Sequence, residues 1–139
     1  MTTTIHIAYQ GELRCDAVHE SSGSRIHTDA PKDNNGKGEN FSPTDLIATA
    51  LGACMLTIMG ITAKNLNVDI TGATASVEKE MASSPTRRIA KLAVRLRFPL
   101  PVDEESRIKL ERAALACPVH KSLHPDIETP IAFEWNDKA

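Results

Sequence analysis

Alternation with a period of two opens the chain. Thr3–Tyr9, TTIHIAY, is β-branched and alternating and predicts a strand. Leu13–His19 and Arg25–Thr28 predict two more, joined by the turn ESSGS. The hydrophobic signal then stops: residues 29–41, DAPKDNNGKGENF, are dense in Asp, Asn, Gly and Lys and read as a loop that feeds a helix. Ser42 as N-cap, Pro43 at the first helical position and Asp45 near the positive end mark the helix start. That helix runs from about Pro43 to Asn65, roughly 34 Å at ~1.5 Å per residue. Leu46 to Ala63 is eighteen residues without a charge, near the lower limit for a membrane span. Its threonines and glycines, and the strands of a soluble type around it, favour a helix buried inside a protein instead.

Beyond the helix the period returns to two. Gly72–Met81 and Arg88–Phe98 predict a hairpin across ASSPT. A second helix is expected from about Asp103 to Ala116, with Ile108, Leu110, Ala114 and Leu115 on its apolar side. CPVHKSLHP ends it, because Pro118 discourages continuation. Ile127–Trp135 is a closing strand that Pro130 pushes towards a sheet edge. The sum is an α+β protein, residues 1–139 forming one domain, without repeats or internal linker. Ala48, Gly52, Ala53 and Gly60 would let another backbone approach the long helix, which is apolar nearly all round. A chain of this length has too little protein to wrap such a helix, so two interlocked copies are expected: a homodimer.

Composition narrows the function. Apolar residues make up 41% and charged ones 24%, with a net charge of −2 and no block of like charge, so neither a nucleic-acid nor a membrane-surface partner is expected. The N-terminus lacks the basic flank and apolar run of a signal peptide, and three cysteines make a poor disulfide framework. A cytoplasmic location is expected, where cysteines more often do chemistry than staple a fold. Cys54 interrupts the uncharged helix and Cys117 opens CPVHKSL; each is either a small apolar residue or half of a reactive pair. Cys15, on a presumed strand, reads as passive. Cys117, His120 and His124 have a spacing that suggests zinc, but two prolines crowd the segment and no further ligand completes a tetrahedron. NNGKG is a solvated loop rather than a phosphate cradle, since it lacks a βαβ context.

FSPTDLIATALGACM, residues 41–55, and CPVHKSL, residues 117–123, resemble the OsmC/Ohr family of organic-hydroperoxide-reducing proteins. The order of elements extends the resemblance over almost the whole chain. It implies an OsmC-like intertwined homodimer with long buried central helices flanked by antiparallel β-sheets, and active sites at the dimer interface. It also implies Cys54 as the peroxidatic and Cys117 as the resolving cysteine, an organic (fatty-acid or alkyl) hydroperoxide as substrate, and a thiol reductant such as a lipoylated protein, with no metal or organic cofactor. Peroxidase members carry a glutamate after the proline matching Pro43, where it holds an arginine that activates the thiol. This chain has Thr44 there and Asp45 one residue on. Arg14, Arg25 and Asp45 are the candidate activating groups. The departure at Thr44 keeps a second reading open, a binding or redox-sensing member of the same fold.

Overall fold

The computed structural model describes residues 1–137. The chain forms two compact units, Met1–Ile47 and Ala48 onward. The first is an antiparallel meander of β1 (Ile5–Gly11), β2 (Arg14–His19) and β3 (Arg25–Asp29). Gly11 pairs with Arg14, leaving Glu12 and Leu13 as a two-residue turn with φ of 54° and 63°. Two successive left-handed residues are what a primed hairpin turn requires, although neither is the usual glycine or asparagine. In register, Ile5, Ile7 and Tyr9 share a face with Cys15, Ala17 and Ile26, while Asp16, Arg25 and His27 occupy the other.

The loop after β3 is held by Asp29, whose carboxylate is buried. It accepts from the Glu39 and Asn40 amides at 2.9 and 3.0 Å and from Arg14 Nε at 2.7 Å. A short 3₁₀ turn over Lys32–Asn34 sits inside the loop. Gly36 is required there: a Cβ would lie 1.7 Å from the Ala30 carbonyl oxygen. Within NNGKG, Gly36 is thus packed on the Ala30 backbone, and the other four residues are exposed.

α1 spans Pro43–Asn65, as the sequence predicts. From Ala48 on, it lies against β4 (Thr74–Ala82) and β5 (Arg88–Phe98), with Leu51, Met55, Met59 and Ala63 in the core beside Leu92, Val94, Leu96 and Phe98. Gly52 allows this approach, since a Cβ would sit 3.1 Å from Val77 Cγ2 and 3.4 Å from Ala75 Cβ. Gly60, expected to serve a close backbone, has nothing within 4 Å of its Cβ position. Nor is α1 covered all round within one chain: Ile47, Ala53, Thr57 and Ile61 are exposed.

α2 (Glu104–Leu115) is capped by Asp103, which accepts from the Ser106 amide at 3.0 Å. It buries Leu110 and Ala114, whereas Ile108 and Leu115 stay exposed, so its apolar side is narrower than the sequence suggests. A five-residue helix, α3 (Pro118–Ser122), follows where only a helix end was expected. The closing strand is shorter than anticipated, β6 (Ile131–Trp135), and sits at the sheet edge as Pro130 dictates. It runs parallel to β5, so the second sheet, β4-β5-β6, is mixed and not antiparallel throughout. The α2–α3 segment between β5 and β6 is the crossover that a parallel pair needs.

Candidate functional site

Two thiols meet where the middle of α1 faces the start of α3. Cys54 is half-buried on the side of α1 that packs against the core cluster, and Cys117 belongs to that cluster with no exposed surface. Both are free thiols. Cys117 is placed by local rules: α2 stops at Leu115, and Pro118, lacking an N–H, takes the first position of α3. Cys117 is thus the N-cap in extended conformation, and its sulfur accepts from the His120 amide at 3.3 Å.

Burial pushes the Cys117 thiol above its ordinary pKa, and the hydrogen bond and charge of the neighbouring Cys54 sulfur push it the same way. The His120 amide opposes these effects without cancelling them. Cys117 therefore rests as a thiol, poised beside Cys54. Such a pair can close to a disulfide once Cys54 becomes electrophilic.

His120 brings a second feature. Its Nε2 lies 3.0 Å from Thr129 Oγ1, while Nδ1 is buried and has no hydrogen-bond partner among the described residues. The sequence shows His120 only in its zinc-like spacing with Cys117 and His124; Thr129, nine residues away, is invisible to local pattern. His124 lies beyond α3, its Nδ1 accepting from the Asp126 amide at 3.0 Å. The two imidazoles do not share a helical face, and no set of three His, Cys, Asp or Glu among the described residues is grouped to hold a metal.

The remaining candidates lie in the first unit and have partners there. Arg14 bridges Asp29 and Glu39, with a side chain 32% exposed. Its pKa is raised, chiefly by the hydrogen bond to Asp29. Arg25 is largely exposed and pairs with Asp16 at 2.7 Å. Asp45 accepts from the Ser42 amide at 3.0 Å while Ser42 Oγ accepts from the Asp45 amide at 3.0 Å, a reciprocal cap on α1. Thr44 Oγ1 lies 3.2 Å from Ser42 Oγ.

Residues 36–131 match the profile of the OsmC-like protein family. A crystal structure from Psychrobacter arcticus 273-4, of a protein named for osmotic stress induction and a detoxification response, is 47% identical. It superposes with a TM-score of 0.91 over 96% of this chain and 97% of that one. The organic hydroperoxide resistance protein OsmC of Legionella pneumophila shares the fold at 14% identity and a TM-score of 0.78, covering 96% and 97%. An OsmC-like protein of Mycoplasma pneumoniae does so at 16% and 0.81, covering 97% of each chain. No curated protein matches the chain.

Proposed function

This chain belongs to the OsmC-like family, and we propose that it is a thiol peroxidase that reduces organic hydroperoxides with Cys54 and Cys117. The observation that carries this reading is the pairing itself: a half-buried thiol beside a fully buried one that a helix cap holds in place. Relatives named for organic hydroperoxide resistance support the same chemistry. Cys54, as thiolate, attacks the terminal oxygen of the peroxide; the O–O bond breaks, the alcohol leaves with a proton, and Cys54 becomes a sulfenic acid. Cys117 then attacks the Cys54 sulfur, forming the disulfide and releasing water. A dithiol reductant, of which a lipoylated protein is the expected class, returns both thiols. The reaction needs no metal or organic cofactor. Proteins of this family are soluble, and a cytoplasmic location suits a chemistry that begins and ends with free thiols.

The working form is proposed to be a homodimer. Ile47 and Ile61, 40% and 55% exposed on α1, and Ile5, Ile7 and Tyr9, 53–66% exposed on β1, are large apolar side chains that a second copy would cover.

Thr44 favours a second reading, a binding or sensing protein with slow turnover. Its hydroxyl carries no charge with which to hold an arginine. Single-turnover consumption of tert-butyl hydroperoxide separates the two. The enzyme reading expects rapid loss of peroxide by wild type, none by Cys54→Ser, and one equivalent with trapped sulfenic acid in Cys117→Ser. Equal rates for wild type and Cys54→Ser would leave only the binding module.

A further inference from the structure

We propose that Cys54 and Cys117 form a chelating site for trivalent arsenic, taking up arsenous acid or a monosubstituted arsenical. The inference shares two sulfurs with the peroxidase reading but does not rest on it, because no step needs a peroxide or any other oxidant. Both thiols are free, and both belong to the second compact unit. Cys54 packs against the core cluster that contains Cys117, and its sulfur acts on the Cys117 thiol through a hydrogen bond and through its charge. Cys54 is half-buried and meets a ligand first; Cys117, fully buried, closes the chelate behind it.

Two properties of the pair select arsenic over a metal cation. The first is ligand number. Among the described residues no third His, Cys, Asp or Glu is grouped with the two sulfurs, whereas zinc takes four protein ligands, or three and a water. A pyramidal trivalent arsenic needs only the two sulfurs, since it keeps a hydroxyl or an organic substituent as its third bond. The second property is charge. A metal cation binds thiolates, so thiol protons are lost when it binds. Burial and the neighbouring sulfur hold Cys117 as the neutral thiol, and a pair of thiolates against an apolar cluster is costly. Arsenous acid brings its own proton acceptors. As each As–S bond forms an As–O bond breaks, and the departing hydroxyl leaves as water with the thiol proton. Arsenic stays trivalent, neither sulfur is oxidised, and As(OH)3 with two thiols gives (RS)2AsOH and two waters. The product is neutral, which suits a buried sulfur.

The test treats the reduced full chain, in a Cys15→Ser background, with phenylarsine oxide and then with iodoacetamide. Intact-mass spectra are expected to show one phenylarsenic group per chain and no alkylated thiol. Cys54→Ser and Cys117→Ser, each left with a single sulfur, are expected to bind at least about 100-fold more weakly, because the second, intramolecular bond is lost. Excess glutathione is expected to strip the arsenical from both variants but not from the parent, while a dithiol (dimercaptopropanol) strips all three. An arsenical held through one sulfur in the parent, with the other thiol alkylated, overturns the proposal. Equal affinity in the parent and either variant does so too. A parent that binds through both sulfurs yet consumes no tert-butyl hydroperoxide loses the peroxidase reading and keeps the arsenic site. Rapid peroxide turnover with no arsenical bound does the reverse.

Discussion

Ser42 and Asp45 show how much a few atoms decide at the scale of the residue. Each accepts a hydrogen bond from the other's amide, so two of the three orphan N–H groups around the first turn of α1, where Pro43 has none, are satisfied locally. The sequence announces Ser42 as a cap, and it places Asp45 where the helix dipole favours it. It does not show that the carboxylate bends back onto Ser42, because that is a matter of side-chain torsion. Asp29 was unreadable in the same way: its partners Arg14, Glu39 and Asn40 lie 10 to 15 residues away, and only folding brings them together. Burial alone would raise the Asp29 pKa; the Arg14 guanidinium and the two amides outweigh it and hold the carboxyl below its usual value. A carboxyl depressed in the folded state stabilises fully above its unfolded pKa, about 3.9, and loses that contribution as pH falls through the lower folded value. Wild type should therefore lose stability on acidification below about pH 4, and Asp29→Asn should flatten that part of the curve. Urea midpoints measured from pH 6 down to pH 2 check this; parallel curves for the two proteins would show that Asp29 is not the linked group.

Elements were legible where one face decides their pattern and illegible where chain direction or a second body matters. α1 and β5 have the predicted bounds, because Ser42-Pro43 and the alternation RIAKLAVRLRF are strong local signals. β6 was recognised as an edge strand, yet its parallel direction depends on the α2–α3 crossover, and no property of IAFEW encodes direction. α3 was missed because five residues are too short for a period to register. That Cys54 and Cys117 lie side by side was expected only from the resemblance of their motifs to a known family, since they stand sixty-three positions apart with unrelated pattern between them. The approach of α1 to β4 offers a direct test of packing. Gly52→Val would force a Cβ to 3.1 Å from Val77 Cγ2, with two further carbons to place. Overpacking of this kind costs about 1–3 kcal/mol. Urea unfolding should show a lower midpoint with an unchanged slope; a midpoint equal to wild type would mean that Val77 turns away freely.

For the whole molecule, the question is what covers the outer side of α1. The uncharged run Leu46–Ala63 predicts a helix wrapped on every side, and one chain wraps only the side that carries Leu51, Met55 and Met59. The physical demand read from the sequence therefore remains unmet within a monomer. Ile61, 55% exposed, lies on the open side of the helix, where it makes no contribution to the core of its own chain. Ile61→Lys consequently separates the proposed dimer from the fold of the protomer. In a monomer, lysine at an exposed helical position is as good a helix former as isoleucine, and stability should change by less than about 0.5 kcal/mol. In a dimer that buries this face, each copy would lose about 1.5–3 kcal/mol of apolar burial and gain a charge to desolvate. The substitution occurs in both copies, and each 1.4 kcal/mol is a factor of ten, so the dissociation constant should rise by at least about 10². Sedimentation at micromolar concentration is expected to give twice the chain mass for wild type and a shift towards the single-chain mass for Ile61→Lys, with helical content preserved. Wild type sedimenting as a well-folded monomer would remove the dimer, and an undisturbed dimer in Ile61→Lys would move its interface off this face of α1.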